Sequence, residues 1–441
     1  MHNRWKIVIS LLMIVSLMSG CFGKKEVLEP LQPSKIKVIY QDEEAFYHDY
    51  GKYFHMKYPQ IEVEVISETQ VLQNLGKTIR AEDWDTEIKK LLVNSGADVI
   101  KLGDAKTFKS FAEAGRLYDL EEMIRQDDYD MKGFLPGLID RIKSLGNGKL
   151  YGLAPYVDRE VLYYNAALFK EHQIEPPKNN MTWQEMFDLS ARFANIGSGE
   201  NKVYGFYEWS GDIGFILYKI ADSSGLKLLD PKGEKVLLNS DGWKKAIKQV
   251  TDAVRSKSVF LHPEGQIYTQ ELRDGVAMEI GSAYKTRELV LTKQDWNVVT
   301  APVDPAMDSS SITFSPIYAI AADSANKRAA WELVKFVNGP EMAQARSRTL
   351  EGKLPSRNGY MKDINGRSTD AFYMPKIRQE SGLYESLPFE FLRLFYKPLR
   401  EELLAVVANE KSVDEAAAAL EVKAQELLLK VRESANKDKR K

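Results

Sequence analysis

The residues best suited to act on another molecule are aromatic rings and hydrogen-bonding side chains where apolar runs end. Trp209 closes the run 203–209 and is followed by Ser210 and Gly211. A ring there offers a flat apolar face for stacking, although a place in the core or at its rim suits it too. Gly281 and Ser282 follow a second apolar run and allow backbone amides to approach a bound group, with Tyr284 just beyond. Asp104 follows Gly103 at the end of 99–102; its carboxylate can accept from hydroxyl groups or cap the next helix. Gln41 heads the loop after 35–40, where Asp42, Glu43 and Glu44 also suit a helix N-terminus.

The chemistry on offer is recognition rather than reaction. There is no phosphate-cradling P-loop, no dinucleotide GxGxxG, no HExxH and no GxSxG. The five histidines, His2, His48, His55, His172 and His262, are scattered, and Cys21 is the only cysteine. No metal site or cofactor is expected from them. Carboxylates are abundant, so a hydrolytic pair stays open on the residues alone. A net charge of −2 gives no footing for a nucleic-acid partner. The aromatic share of 10%, with 21 Tyr and 7 Trp, suits a cleft in which sugar C–H faces pack on rings, though most such rings belong to cores.

The elements that must hold these residues alternate between strand and helix. Residues 35–40 alternate as a strand, 45–58 read as a helix with Phe46, Tyr50, Phe54 and Met56 inward, and 61–66 alternate again. Strand, helix, strand at this spacing predicts a largely parallel sheet. Open sheets of that kind bind ligands at the carboxyl ends of their strands. Further strands are predicted at 99–102, 161–164, 203–209 and 318–322. Helices are predicted at 84–94, 106–114, 213–221, 239–255 and 326–337, and from 392 to about 433. Asn165 reads as an N-cap, and Thr182 with Glu185 as a capping box.

The start of the chain is of another kind. Arg4 and Lys6 precede the apolar run 7–18, broken only by Ser10 and Ser16 and shorter than the about 20 residues of a membrane span. This is a signal-peptide pattern. Leu17-Met18-Ser19-Gly20-Cys21 resembles a lipobox, in which the cysteine becomes an acylated N-terminus; Met18 stands where Leu is commoner. A signal anchor with an incidental cysteine is the other reading. Residues 22–34 read as a tether, and a lone cysteine leaves no disulfide within the chain. The chain beyond the signal segment is about 420 residues, enough for two domains.

The stretch 151–193, YGLAPYVDREVLYYNAALFKEHQIEPPKNNMTWQEMFDLSARF, resembles the central segment of bacterial extracellular solute-binding proteins of the family-1, sugar-binding type. The passages around Ala97-Asp98-Val99-Ile100, Gly275-Val276-Ala277-Met278, Ala330-Trp331 and Leu354-Pro355-Ser356-Arg357 are similar to that family in the same order. The last of these reads as structural.

The resemblance implies a type II periplasmic-binding-protein fold of two α/β lobes on a three-segment hinge. It divides the chain into a signal peptide (1–20), a lipid-anchored tether (21–34), a first lobe (35–155 and 303–335) and a second lobe (156–302 and 336–441). Crossings fall near 155–157, 300–303 and 335–341. It implies a ligand site drawn from Tyr40, Gln41, Asp104, Tyr156, Asp158, Arg159, Trp209, Gly281, Ser282 and Tyr284. It further implies a monomer with no catalytic residues, lipidated on Cys21 and held outside the cell membrane, which suits a Gram-positive cell. Such a protein carries a carbohydrate to the permease of an ABC importer. Three other readings keep the residues: a non-sugar solute, a ligand-sensing partner of a membrane receptor, and an anchored hydrolase. Arginines and lysines gathered in the cleft would favour an anion, stacked acids a polyamine.

Overall fold

The computed structural model describes residues 29–74, 84–208, 211–261, 275–292, 294–349, 352–380, 382–383 and 387–438. The signal-like segment, Cys21, most of the tether and Trp209 lie outside the described residues.

Two five-stranded sheets organise the chain. In the first, the spatial order is Ile61–Ser67, Ser34–Tyr40, Val99–Leu102, Ile317–Ile320, Gly152–Leu153. Ser34–Tyr40 runs parallel to Ile61–Ser67, from Ser34 opposite Ile61 to Tyr40 opposite Ser67. The helical stretch between them buries Phe46, Tyr50 and Phe54. These lie four apart, a spacing that drifts around a 3.6-residue helix; a π-helical turn at Tyr47–Gly51 widens the repeat and keeps them on one face. Met56, expected inward, is 81% exposed, because it falls two positions beyond that stripe.

In the second sheet the order is Trp296–Thr300, Val161–Asn165, Val276–Gly281, Tyr204–Glu208, Phe260–Leu261. Asn165 caps the following helix by accepting from the amides of Ala167 and Leu168, and Thr182 and Glu185 form the capping box. The helices Phe389–Val407 and Val413–Asp438 pack over Ile213–Ser223 and Asp241–Arg255 as the outer layer of this lobe.

Neither sheet is wholly parallel, and the exceptions share a cause. Ile317–Ile320 runs antiparallel to both its neighbours, and so does Val161–Asn165. Each is the first strand after the chain passes from one sheet to the other. The remaining parallel strands end at the edge where the chain passes over, so a strand that begins there must run the opposite way.

The third passage, expected near 335–341, is drawn out. Pro340–Arg346 stays with the first lobe, through Arg346 to Asp49 at 3.0 Å and Glu341 to Lys57 at 2.6 Å. Leu354–Pro355 then pairs with Tyr156–Val157. Phe372 packs beside Tyr163 of the second sheet, with ring centroids 6.4 Å apart.

Arg357, at the end of the motif read as structural, is 2% exposed. It donates to the carbonyls of Asn338 and Asp130 and to the Asp130 carboxylate, and lies over the Phe134 ring at 4.4 Å. Arg357→Ala leaves those carbonyls without donors. It is expected to lower unfolding stability by about 2–4 kcal/mol, read as a shift in denaturant midpoint at constant slope. Arg357→Lys should recover less than half, since an ammonium cannot reproduce the planar fork.

Candidate ligand-binding site

Both sheets turn the same edge towards the connecting peptides. Tyr40, Leu102 and Leu153 end strands of the first, and Glu208, Gly281 and Thr300 end strands of the second. The peptides between are laced together by backbone bonds. Asp158 and Thr313 exchange N–H···O bonds of 2.8 and 2.9 Å, and the Ser356 amide donates to Pro155 at 2.9 Å. The Ser315 hydroxyl donates to the Gly103 carbonyl at 2.6 Å.

The sequence-derived site residues fall into three groups. Gln41 and Asp104 are exposed on the first-lobe edge. Asp104 also caps its helix, accepting from the Thr107 amide and hydroxyl at 2.8 Å each. Tyr40 and Tyr156 differ from expectation: they are 7% and 5% exposed and have no ring face left for a ligand. Tyr40 stands edge-on to Phe46 and Tyr50 and donates to Asp49 at 2.6 Å, while the hydroxyls of Tyr156 and Tyr50 lie 3.0 Å apart. A tyrosine just past a strand end can turn inward when its hydroxyl finds a buried partner, and these do.

Asp158, Arg159, Gly281, Ser282 and Tyr284 come together on the second-lobe edge. The Asp158 carboxylate accepts from the amides of Arg159 at 2.9 Å and Ala283 at 3.0 Å, which fixes the turn before Tyr284. Burial pushes this carboxyl above its ordinary value, against those amides and the Ser282 hydroxyl, which favour the charged form. Tyr284 is 63% exposed. Gly352, at φ +69°, passes so close beneath it that a Cβ there would lie 2.5 Å from the Tyr284 Cα.

A cavity of about 530 Å³ opens beside Asp158 and Arg159, within the range of small-ligand sites. One wall is the helix Ile213–Ser223, which contributes Phe215, Tyr218, Lys219 and Asp222. Glu208, which ends its strand, and Ile280, next to the end of its own, also line the cavity. Residues 309–313, Pro375, Arg378 and Leu383 contribute the rest. Lys219 pairs with Glu160, and Arg378 with Asp222 at 3.3 Å. Arg159 donates through Nη1 to the carbonyls of Phe372 and Pro375 at 2.9 and 2.8 Å. Burial alone pushes its pKa down to about 10, so it stays charged at neutral pH. The sequence reading did not single out Arg378 or Ser310. The polar run 308–315 was visible, but the segment it pairs with, Lys376–Ile377, is more than 60 residues away and no local pattern joins them.

Comparison with known proteins follows this geometry. Residues 73–368 match the family described as bacterial extracellular solute-binding protein. The chain belongs to that family. Its members are binding proteins that work outside the cell. The solute-binding protein is 23% identical over 232 residues to the arabinooligosaccharide-binding protein of Bacillus subtilis (strain 168). That stretch is 52% of this chain and 48% of the relative, so the match spans about half the length of the curated protein. Among solved structures, the sugar-binding protein MalE from Xanthomonas citri superposes with a TM-score of 0.68 at 20% identity, covering 91% of this chain and 99% of its own. An ABC substrate-binding protein from Listeria monocytogenes in complex with cycloalternan gives 0.62 at 20% identity, covering 90% and 99%. These likenesses establish the two-lobed fold.

Asp158 yields a paired prediction. Asp158→Ala removes the acceptor for two amides and should lower stability by about 1–3 kcal/mol. Asp158→Asn keeps one oxygen and should be nearly neutral at pH 7. Since the folded carboxyl titrates above its usual 3.8, ionised Asp158 costs stability above the raised value, and the cost disappears as pH falls towards 3.8. The wild-type protein should therefore gain on the Asn variant on acidification, as measured by paired denaturant titrations from pH 7 to pH 4.

Proposed function

We propose that this solute-binding protein is a lipid-anchored receptor that captures a carbohydrate between its lobes and delivers it to the permease of an ABC importer. The observation that carries the reading is the cavity lined by Asp158, Arg159, the strand end at Glu208 and the connecting peptides 301–303 and 309–313; the exposed Tyr284 ring lies outside that lining, beyond the strand end at Gly281. Stacking on an aromatic face, hydrogen bonds accepted by Asp104 and Asp158 and hydrogen bonds donated by Arg159 and Gln41 suit a polyhydroxylated solute with apolar C–H faces. Relatives named for arabinooligosaccharide binding and for a cycloalternan complex support the same solute class. Binding closes the lobes by rotation about the connecting peptides, and no turnover is involved. The lone Cys21 after its apolar run supplies the anchor; among the described residues no helix is long and apolar enough to cross a membrane.

A thermal-shift screen against mono- and oligosaccharides tests the solute. A ligand at about 100 times its Kd adds about 2.7 kcal/mol and raises the midpoint by a few degrees. Tyr284→Ala and Trp209→Ala should each weaken binding by about 5–30-fold, the worth of one stacked ring. Unchanged affinity in both variants removes the stacking site. Cys21→Ser should abolish palmitate labelling and move the protein from the membrane fraction to the medium; labelling that persists argues against the anchor.

A further inference from the structure

The charged groups that line the cavity are already met by the protein. Lys219 pairs with Glu160, and Asp222 accepts from Arg378 and from the Leu383 amide at 3.3 Å each. Arg159 donates to two carbonyls, Asp158 accepts from two amides, and Glu208 also has a protein partner. The Trp183 indole donates to the Ser223 hydroxyl, which donates in turn to the Ile220 carbonyl, at 2.8 Å each. Such groups can still meet a hydroxyl, but none offers an uncompensated charge. The apolar lining is open by contrast. Phe215 is 38% exposed, and of the large exposed hydrophobic side chains among the described residues it alone lines the cavity. Its ring rests against Tyr396, with centroids 5.5 Å apart. Ala301, Val303 and Pro375, each partly exposed, line the same space.

We infer that the captured solute is a neutral saccharide carrying an aryl or acyl substituent, and that Phe215 is the residue that selects the substituent. The inference rests on the reading of this cavity as the carbohydrate site. A carboxylate, phosphate or ammonium on the solute would need a counter-charge here. Drawing Arg378 or Asp222 away to supply one would strand the other, and Arg378 is only 3% exposed. A bare saccharide carries hydroxyls on all its edges and little apolar surface beyond one ring face. That face can cover Phe215, but hydroxyls buried against Ala301, Val303 and Pro375 would go without partners. An apolar group joined to the sugar removes this apolar lining from water at no such cost. The sugar itself is served by the hydroxyls of Ser309, Ser311 and Thr313, which line the same cavity. Phe215 stands one turn before Lys219 on the helix Ile213–Ser223, about 6 Å along its axis. Apolar and polar lining therefore adjoin within the length of one small ligand.

The test is calorimetric titration of the full chain, purified in detergent, with uptake of each probe by protein-free micelles subtracted. The probes are arabinose, xylose, glucose and galactose oligomers bearing a 4-nitrophenyl, feruloyl or acetyl group. Each is set beside the unsubstituted oligomer of the same length and linkage, with uronate oligomers and free ferulate as further arms. One substituted oligomer should bind about tenfold or more tightly than its bare counterpart, with a more negative heat-capacity change and an affinity that salt leaves unaltered. Phe215→Ala should weaken binding of that oligomer by about tenfold and remove most of the preference, while Phe215→Leu, which keeps an apolar side chain, should retain part of it. The wild-type preference decides the matter even if a variant fails to fold. Bare oligomers bound as tightly as every substituted one overturn this inference and leave the carbohydrate receptor standing. A uronate bound more tightly than any neutral oligomer overturns the choice of a neutral solute. Free ferulate bound as tightly as its sugar ester, or no binding by any saccharide, overturns the receptor reading as well.

Discussion

A chain that passes repeatedly between two sheets must leave and enter each at one edge. This constraint governs the rest of the structure. It reverses Val161–Asn165 and Ile317–Ile320 against their parallel neighbours. It gathers the ends of strands far apart in sequence, Tyr40, Leu102, Glu208 and Gly281, along the peptides that join the lobes. It also explains why polar groups are dense there. Strand-end amides and carbonyls without ladder partners need others, and Asp158 meets that need for Arg159 and Ala283.

The cavity follows from the same geometry. Helix Ile213–Ser223 packs its apolar face on the second core, with Ile213, Ile216, Leu217 and Ile220 buried. That leaves Phe215, Lys219 and Asp222 for the cavity side. Other lining comes from segments that return late in the chain, 309–313 and residues 375, 378, 382 and 383. Polar side chains therefore reach the cavity from a helix and a sheet edge as well as from connecting peptides.

Much of this was legible in the sequence, because strand alternation, capping and helix spacing are local signals. The strand at 34–40, the capping box at Thr182 and Glu185, and the inward stripe of Phe46, Tyr50 and Phe54 were all readable from neighbouring residues. Met56 was misplaced because it lies only two positions after Phe54 in the same α-helical turn and so points away from the buried stripe. Of the candidate site, Asp158 and Arg159, named from the sequence beside a strand start, line the cavity. Tyr40 and Tyr156 were assigned to the ligand because a tyrosine near a strand end can face either way; partners more than a hundred residues apart, such as Tyr50 and Tyr156, decide which. Arg378 was missed for the same reason, since its partner Asp222 stands 156 residues earlier.

The pairing of Asp158 with Thr313 and of Tyr156–Val157 with Leu354–Pro355 has a mechanical consequence. Three connecting segments cross-linked by backbone bonds bend as one strap rather than as three independent strings. The laced region takes in Pro155, Tyr156–Val157, Asp158, Thr313, Leu354–Pro355 and Ser356. A change of length in one connecting segment must therefore be matched in the segments bonded to it, while the two sheets stay as they are.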